Sequence, residues 1–145
     1  MNVRPSLLAT TGSRTVVPTI AAVSLFLLVV GHDAPGGGFV GGLLAGSALL
    51  VVFLSKGGGA VVRLLPVDPQ TLLGLGIAIA VATAVAGLVA GSAFLDAGKL
   101  TLDLWLLGKF SVGSALIFDI GVYLVVLGLI ATVLTELGSA EEELR

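Results

Sequence analysis

The sequence predicts an all-α integral membrane protein: four transmembrane helices in one membrane domain, with an interfacial segment before the last. Three observations carry that prediction. Hydrophobic residues make up 57% of the 145 and charged residues 11%, against roughly 25% charged in an ordinary globular domain. The mean hydropathy is +1.16. The charges also fall in clusters, and the uncharged stretches between them are long enough to cross a bilayer, which takes about 17–25 mainly apolar residues. The same numbers exclude a soluble enzyme and a disordered tail. A net charge of −2 leaves no basic footprint for nucleic acid. With no Cys and one His, disulfides, thiolate sites and a multi-histidine metal site fall away, and no cofactor or metal is expected.

The first span, about 15–31, is the 17-residue stretch Thr15–Gly31 between Arg14 and His32. Pro18 falls in its opening turn, where proline is tolerated. A cleaved signal peptide is the rival reading, but no small-x-small site follows at the right place. His32 and Asp33 then stand together at the span's outer end, where such a pair reads as a turn and helix cap rather than a relay.

The second span, about 35–55, opens with Pro35-Gly36-Gly37-Gly38 and is uncharged as far as Ser55. Gly38, Gly42 and Gly46 recur every four residues, as do Gly37, Gly41 and Ala45. Residues four apart lie on one helix face, so these form two adjacent ridges of small side chains. Lipid tails are as apolar as Leu, and membrane helices associate instead through close packing at small residues. The run Gly36-x-Gly38-x-x-Gly41 matches a dinucleotide fingerprint, but that motif has meaning only after a strand in a βαβ unit. Here it lies between two membrane spans.

The third span, about 70–95, lies inside the 27 uncharged residues Pro69–Leu95 and carries a small stripe of Gly74, Ala78, Ala82, Ala86 and Ala90. Residues Asp96–Ser111 have an apolar core, Leu104–Leu107, too short to span. Trp105 suits a water–lipid boundary, so an interfacial or re-entrant segment and an ordinary hydrophobic loop both stand as readings. The fourth span, about 111–135, carries Ser114, Gly121 and Gly128 at sevenfold spacing. Lys and Arg in short loops set orientation. Arg4, Arg14, Lys56, Arg63 and Arg145 fall on one side of a four-span chain and Lys99 and Lys109 on the other. Both termini are therefore expected in the cytoplasm.

Asp119 is the one charged residue inside a span. A carboxylate there is costly and faces protein or water. At about 1.5 Å per residue, it lies roughly 12 Å from Ser111, a third of the way from the outer end. Tyr123, four residues on, is placed to donate a hydrogen bond to it. Asp119 points away from the Gly121–Gly128 ridge, so two sides of this helix call for protein or water. Two readings stay open: a protonatable group beside a cation pathway, and a structural carboxylate held by a neighbour.

Two stretches together resemble a known family. Gly31-His32-Asp33-Ala34-Pro35-Gly36-Gly37-Gly38-Phe39-Val40-Gly41-Gly42-Leu43 is similar to the hallmark of the B-type (MnhB or MrpB) component of the multisubunit Na⁺/H⁺ antiporters. Phe110-Ser111-Val112-Gly113 and Phe118-Asp119-Ile120-Gly121-Val122-Tyr123-Leu124-Val125-Val126 resemble that family's last helix. Asp33 stands where the family more often has Asn, and Ser114-Ala115 where Thr-Pro is common.

The resemblance implies a small plasma-membrane subunit, not an enzyme. It would work with the other membrane subunits of a complex that exchanges Na⁺ for H⁺ across the lipid bilayer. It makes His32, Asp33, the Pro35–Gly42 stretch and Asp119 candidates for ion handling or subunit docking. The alternatives are an equivalent subunit of a membrane-bound hydrogenase or other complex I-related assembly, a purely structural scaffold, and a stand-alone channel.

Overall fold

The structure is a computed structural model that describes residues 7–31, 37–89, 100–104, 108–112 and 114–143, with side chains in 15–31, 37–89 and 114–140. Among the described residues seven elements follow in order: α1 (Leu7–Val30), α2 (Gly37–Lys56), α3 (Gly58–Leu64), α4 (Pro69–Val89), β1 (Leu100–Leu104), β2 (Gly108–Val112) and α5 (Ser114–Glu143). Three helices are long and apolar enough to cross a membrane: α2, α4 and α5 over Ser114–Ala140. The apolar part of α1, Thr15–Val30, is shorter. These helices make the chain a multi-pass membrane protein.

The long helices pack in the order α1–α2–α5–α4, with α3 against α5 and α2. Glycines set the spacing. The ridge Gly38, Gly42, Gly46 faces α5: a Cβ at Gly38 would overlap the Asp119 carbonyl oxygen, one at Gly42 would lie 2.8 Å from Val126 Cβ, and one at Gly46 would strike Ile130. In the second ridge, Gly37 and Gly41 face α1: a Cβ at Gly37 would lie 2.7 Å from the Gly31 carbonyl oxygen and one at Gly41 2.9 Å from that of Ser24. The two ridges read from the sequence thus serve two different neighbours. On α5, Gly121 and Gly128 turn to α4, where a Cβ would come within 2.8 Å of the Ala80 nitrogen and 2.6 Å of the Leu73 nitrogen.

A compact apolar core closes the end of the layer where α2 stops. Leu49, Val52, Val61, Ala131 and Leu134 are buried there, with Phe53, Leu127 and Ile130 packed against them. Gly57 turns the chain with φ +82°, a left-handed conformation natural to glycine, and α3 follows at once. Gly58 rests on Gly138 of α5, a Cβ at either position meeting the other's Cα within 2.9–3.1 Å.

Several expectations need correction. The 24-residue α1 begins at Leu7, ahead of the charge at Arg14, so Pro18 is interior and its ring nitrogen cannot donate to the Arg14 carbonyl. The short α3 occupies what reads as a loop. The third span ends, as far as it is described, at Val89, and α5 starts at Ser114 rather than 111. The stripe Gly74, Ala78, Ala82, Ala86 faces outward: nothing lies within 4 Å of a Cβ at Gly74, and the three alanines are exposed. The packed face of α4 is instead Pro69, Leu72, Leu73, Gly76 and Ala80. Because α4 is apolar all round, no polar face marks its outside. Ala90 lies outside the described residues.

In the region expected to be an interfacial or re-entrant segment, β1 and β2 form an antiparallel pair. Leu102 stands opposite Phe110 and Asp103 opposite Lys109. The alternation L-T-L-D-L and G-K-F-S-V has the two-residue period of a strand, which outweighed the boundary signal of Trp105. Trp105 lies outside the described residues.

Candidate functional site

The candidate site lies where α1, α2 and α5 meet. Gly38 on α2 has no side chain, so its backbone seats against the backbone of Asp119 on α5: an added Cβ would lie 2.8 Å from the Asp119 carbonyl carbon and 2.9 Å from its Cα. Asp119 is half-buried there. One turn further along α5, Gly41 opens a notch in α2. A Cβ at Gly41 would stand 3.3 Å from Cδ2 of Tyr123 and 2.9 Å from the Ser24 carbonyl oxygen. Through that notch the Tyr123 hydroxyl reaches α1, 3.0 Å from the Ser24 hydroxyl.

Ser24 is fully buried, at 0% exposure, and its Oγ also donates to the Ala21 carbonyl at 3.0 Å. A buried hydroxyl without partners is costly; this one has two. Its place was not anticipated from sequence. Ser24 is one polar residue in an otherwise apolar stretch, and such residues usually bond back to their own helix, as Thr19 does to the Thr15 carbonyl at 2.8 Å. Only the partner on another helix distinguishes it.

The structure therefore brings Asp119, Tyr123, Gly37, Gly38, Gly41 and Gly42 into one junction. Gly46 lies one turn further down the same contact, and Gly121 and Gly128 lie on the opposite flank of α5. His32, Asp33, Pro35 and Gly36 lie outside the described residues. The ends of α1 and α2 that bracket them meet at Gly31, whose Cβ would lie 2.6 Å from the Gly37 Cα.

A second polar place lies at the other end of α5. A cavity of about 300 Å³ is lined by Asp68, Pro69, Gln70, Thr71, Thr132, Thr135 and Glu136. Its carboxylates are exposed, and Thr132 and Thr135 donate to carbonyls of their own helix, those of Gly128 and Thr132. Among the described residues no group of three or more His, Asp or Glu is placed to hold a metal ion.

Comparison with known proteins agrees with this geometry. The family model for a domain related to the MnhB subunit of Na⁺/H⁺ antiporters matches residues 8–132. The chain is 39% identical over 135 residues to the B component of the Na⁺/H⁺ antiporter of Bacillus subtilis (strain 168), covering 93% of this chain and 94% of that one. It is 34% identical over 132 residues to the A/B component of a probable K⁺/H⁺ antiporter of Rhizobium meliloti (strain 1021), covering 91% of this chain but 13% of that one. Among solved structures, a chain of the Mrp complex from Dietzia sp. DQ12-45-1b superposes with a TM-score of 0.72 at 36% identity, over 91% of this chain and 14% of that chain.

Proposed function

Because this chain belongs to the family of domains related to the MnhB subunit of Na⁺/H⁺ antiporters, we propose that it serves as a small membrane subunit of a multisubunit Na⁺/H⁺ antiporter and that Asp119 borders the cation or proton route of that complex. The observation that carries the role of Asp119 is its seat. The one charged residue within the spans stands on α5, clamped at Gly38 and one turn from a buried hydroxyl pair. A carboxylate in that place is costly, and a merely structural contact does not need one.

The orientation that fits is the one with Arg14, Lys56 and Arg63 on the cytoplasmic side. Asp119 then lies toward the outer face, and α1 supplies the fourth crossing. Partner subunits supply most of the ion path, since this chain offers few polar groups within its spans. The outward stripe of α4 gives them a smooth face to approach. Na⁺ is the cation in the name of the Bacillus relative and K⁺ in that of the Rhizobium relative, so the cation is monovalent and Na⁺ is the first choice.

The test is cation-driven proton movement in inside-out vesicles from a host stripped of its own antiporters, with the whole complex expressed. Asp119→Asn is expected to assemble and to lose at least tenfold in Na⁺-dependent exchange. Full assembly with unchanged exchange would refute the role of Asp119 and leave the scaffold reading.

A further inference from the structure

We propose that Ser24 is a positioning residue for this site, and that the Ser24 and Tyr123 hydroxyls form a two-position hydrogen-bond switch beside Asp119. The inference rests on the proposed role of Asp119 and extends it to α1.

The proton count leads there. The Ser24 Oγ lies 3.0 Å from the Ala21 carbonyl and 3.0 Å from the Tyr123 hydroxyl. A hydroxyl has one proton to give. A carbonyl only accepts, so while Ser24 donates to Ala21, Tyr123 must donate to Ser24. In the other arrangement Ser24 turns its proton to the Tyr123 oxygen, and the phenol proton is released to another acceptor. The cost of exchanging the two is small. The Ala21 carbonyl lies within α1, four residues before Leu25, and keeps its helical N–H partner. Ser24 keeps one strong hydrogen bond throughout. Both hydroxyls are held in a low-dielectric interior, where the direction of a hydrogen bond responds strongly to a nearby charge.

That charge is on the same helix. Asp119 precedes Tyr123 by four residues, on the same face and one turn away, and helical side chains lean toward the N-terminal turn, so the phenol leans toward the carboxylate. The surroundings carry no competing charge. Within the packed helices, residues 15–30 of α1, 37–55 of α2 and 69–89 of α4 have no ionisable side chain. On α5 the next after Tyr123 is Glu136, more than three turns on; Lys56 closes the far end of α2 and Arg14 precedes the apolar part of α1. When Asp119 carries its charge the phenol proton turns toward it. When Asp119 is protonated, the phenol donates to Ser24. Gly41 keeps the notch open through which the two hydroxyls meet.

The test uses the assembled complex in vesicles and reads Na⁺-dependent proton exchange from pH 6 to 10. Ser24→Ala removes the competing acceptor and leaves the phenol proton to the carboxylate, so the profile is expected to move to lower pH. Tyr123→Phe removes the donor and moves it to higher pH. Each shift is about one pH unit, the size of a hydrogen bond to a charged group. The double variant behaves as Tyr123→Phe alone, and Ser24→Thr, which keeps the hydroxyl, restores the profile. A purely structural hydrogen bond would lower amplitude in both variants without opposite shifts.

Unmoved profiles, or shifts of the same sign, overturn the proposal. If Ser24→Ala does not assemble, Ser24→Cys keeps the bulk with a weaker donor and acceptor and is expected to shift the same way. Failure of both to assemble, with Ser24→Thr normal, makes Ser24 a packing residue and also overturns it. Asp119→Asn separates this inference from its premise. An unchanged profile there refutes the role of Asp119; a changed one, with Ser24→Ala unmoved, refutes only the switch.

Discussion

Replacing Gly38 with Ala tests the α2–α5 contact at the candidate site. The new Cβ would overlap the Asp119 carbonyl oxygen and lie 2.8 and 2.9 Å from the Asp119 carbonyl carbon and Cα. Carbon atoms in contact prefer about 3.5–4.0 Å, so the helices must part by about 1 Å. The atoms in the way are backbone, which cannot swing aside. Overpacking of this kind costs about 1–3 kcal/mol, and the upper part of that range applies. Alanine regains up to about 1 kcal/mol in helix propensity over glycine. The net loss is then about 2 kcal/mol, or roughly 6 °C in unfolding midpoint for a chain of this length. Two companion substitutions calibrate the result. At Gly46 the obstructing atom is the mobile end of Ile130, so Gly46→Ala should fall near neutral. At Gly74 nothing lies within 4 Å, so Gly74→Ala should keep its propensity gain of up to about 1 kcal/mol. Helical circular dichroism of the purified chain in detergent gives the three midpoints, expected in the order Gly74→Ala, Gly46→Ala, Gly38→Ala from highest to lowest. Equal midpoints for Gly38→Ala and Gly74→Ala would refute the close approach at Asp119.

Other consequences are as direct. The chain has no cysteine, so a Gly58→Cys, Gly138→Cys pair should cross-link on mild oxidation in membranes, as close backbone approach permits; free thiols by alkylation would refute the packing of α3 on α5. Val61→Ala should cost about 2 kcal/mol, because Val61 is fully buried in the core that closes the layer, whereas Val62→Ala, at a position 42% exposed, should stay within about 0.5 kcal/mol. Ala82→Leu on the outward stripe of α4 should likewise leave the midpoint unchanged, and Gly76→Leu should abolish it, since a Cβ there already meets the Val125 nitrogen at 2.6 Å.

The glycine ridges of α2 could be read in advance because four-residue spacing puts small residues on one face, whatever neighbour covers it. Which ridge meets α1 and which meets α5 could not, since both neighbours approach as plain backbone. The site was visible at Asp119 and Tyr123 because charge and phenol are conspicuous in an apolar span. Ser24 was not, because its meaning comes from a partner 99 residues away. On α4 the stripe from Gly74 to Ala86 and the face through Gly76 are equally apolar, and only packing against Gly121 and Gly128 chooses between them. The hairpin was hidden differently. Its two-residue alternation is present, yet each strand has five residues, and Trp105 between them drew attention to a boundary instead.

The order of the helices explains how a membrane chain tolerates a carboxylate in a span. In the sequence α1–α2–α5–α4, the outer helices each have one packed flank and α2 and α5 have two. The exposed apolar side chains of α1 and α4, such as Phe26, Val81 and Leu88, suit lipid or a neighbouring subunit. Asp119 is on α5, whose α4 flank is taken up by Gly121 and Gly128 and whose α2 flank by Gly38, Gly42 and Gly46. Moved to α4, the same residue would stand on the single-flanked edge of the layer, where the cost of a charge in lipid is greatest. On α5 it is held between two backbone contacts, near hydroxyls rather than hydrocarbon alone. The glycines that crowd α2 and α5 therefore do two things at once. They bring helices close enough to bind without a hydrophobic driving force, and they build the protein flanks that a costly carboxylate requires.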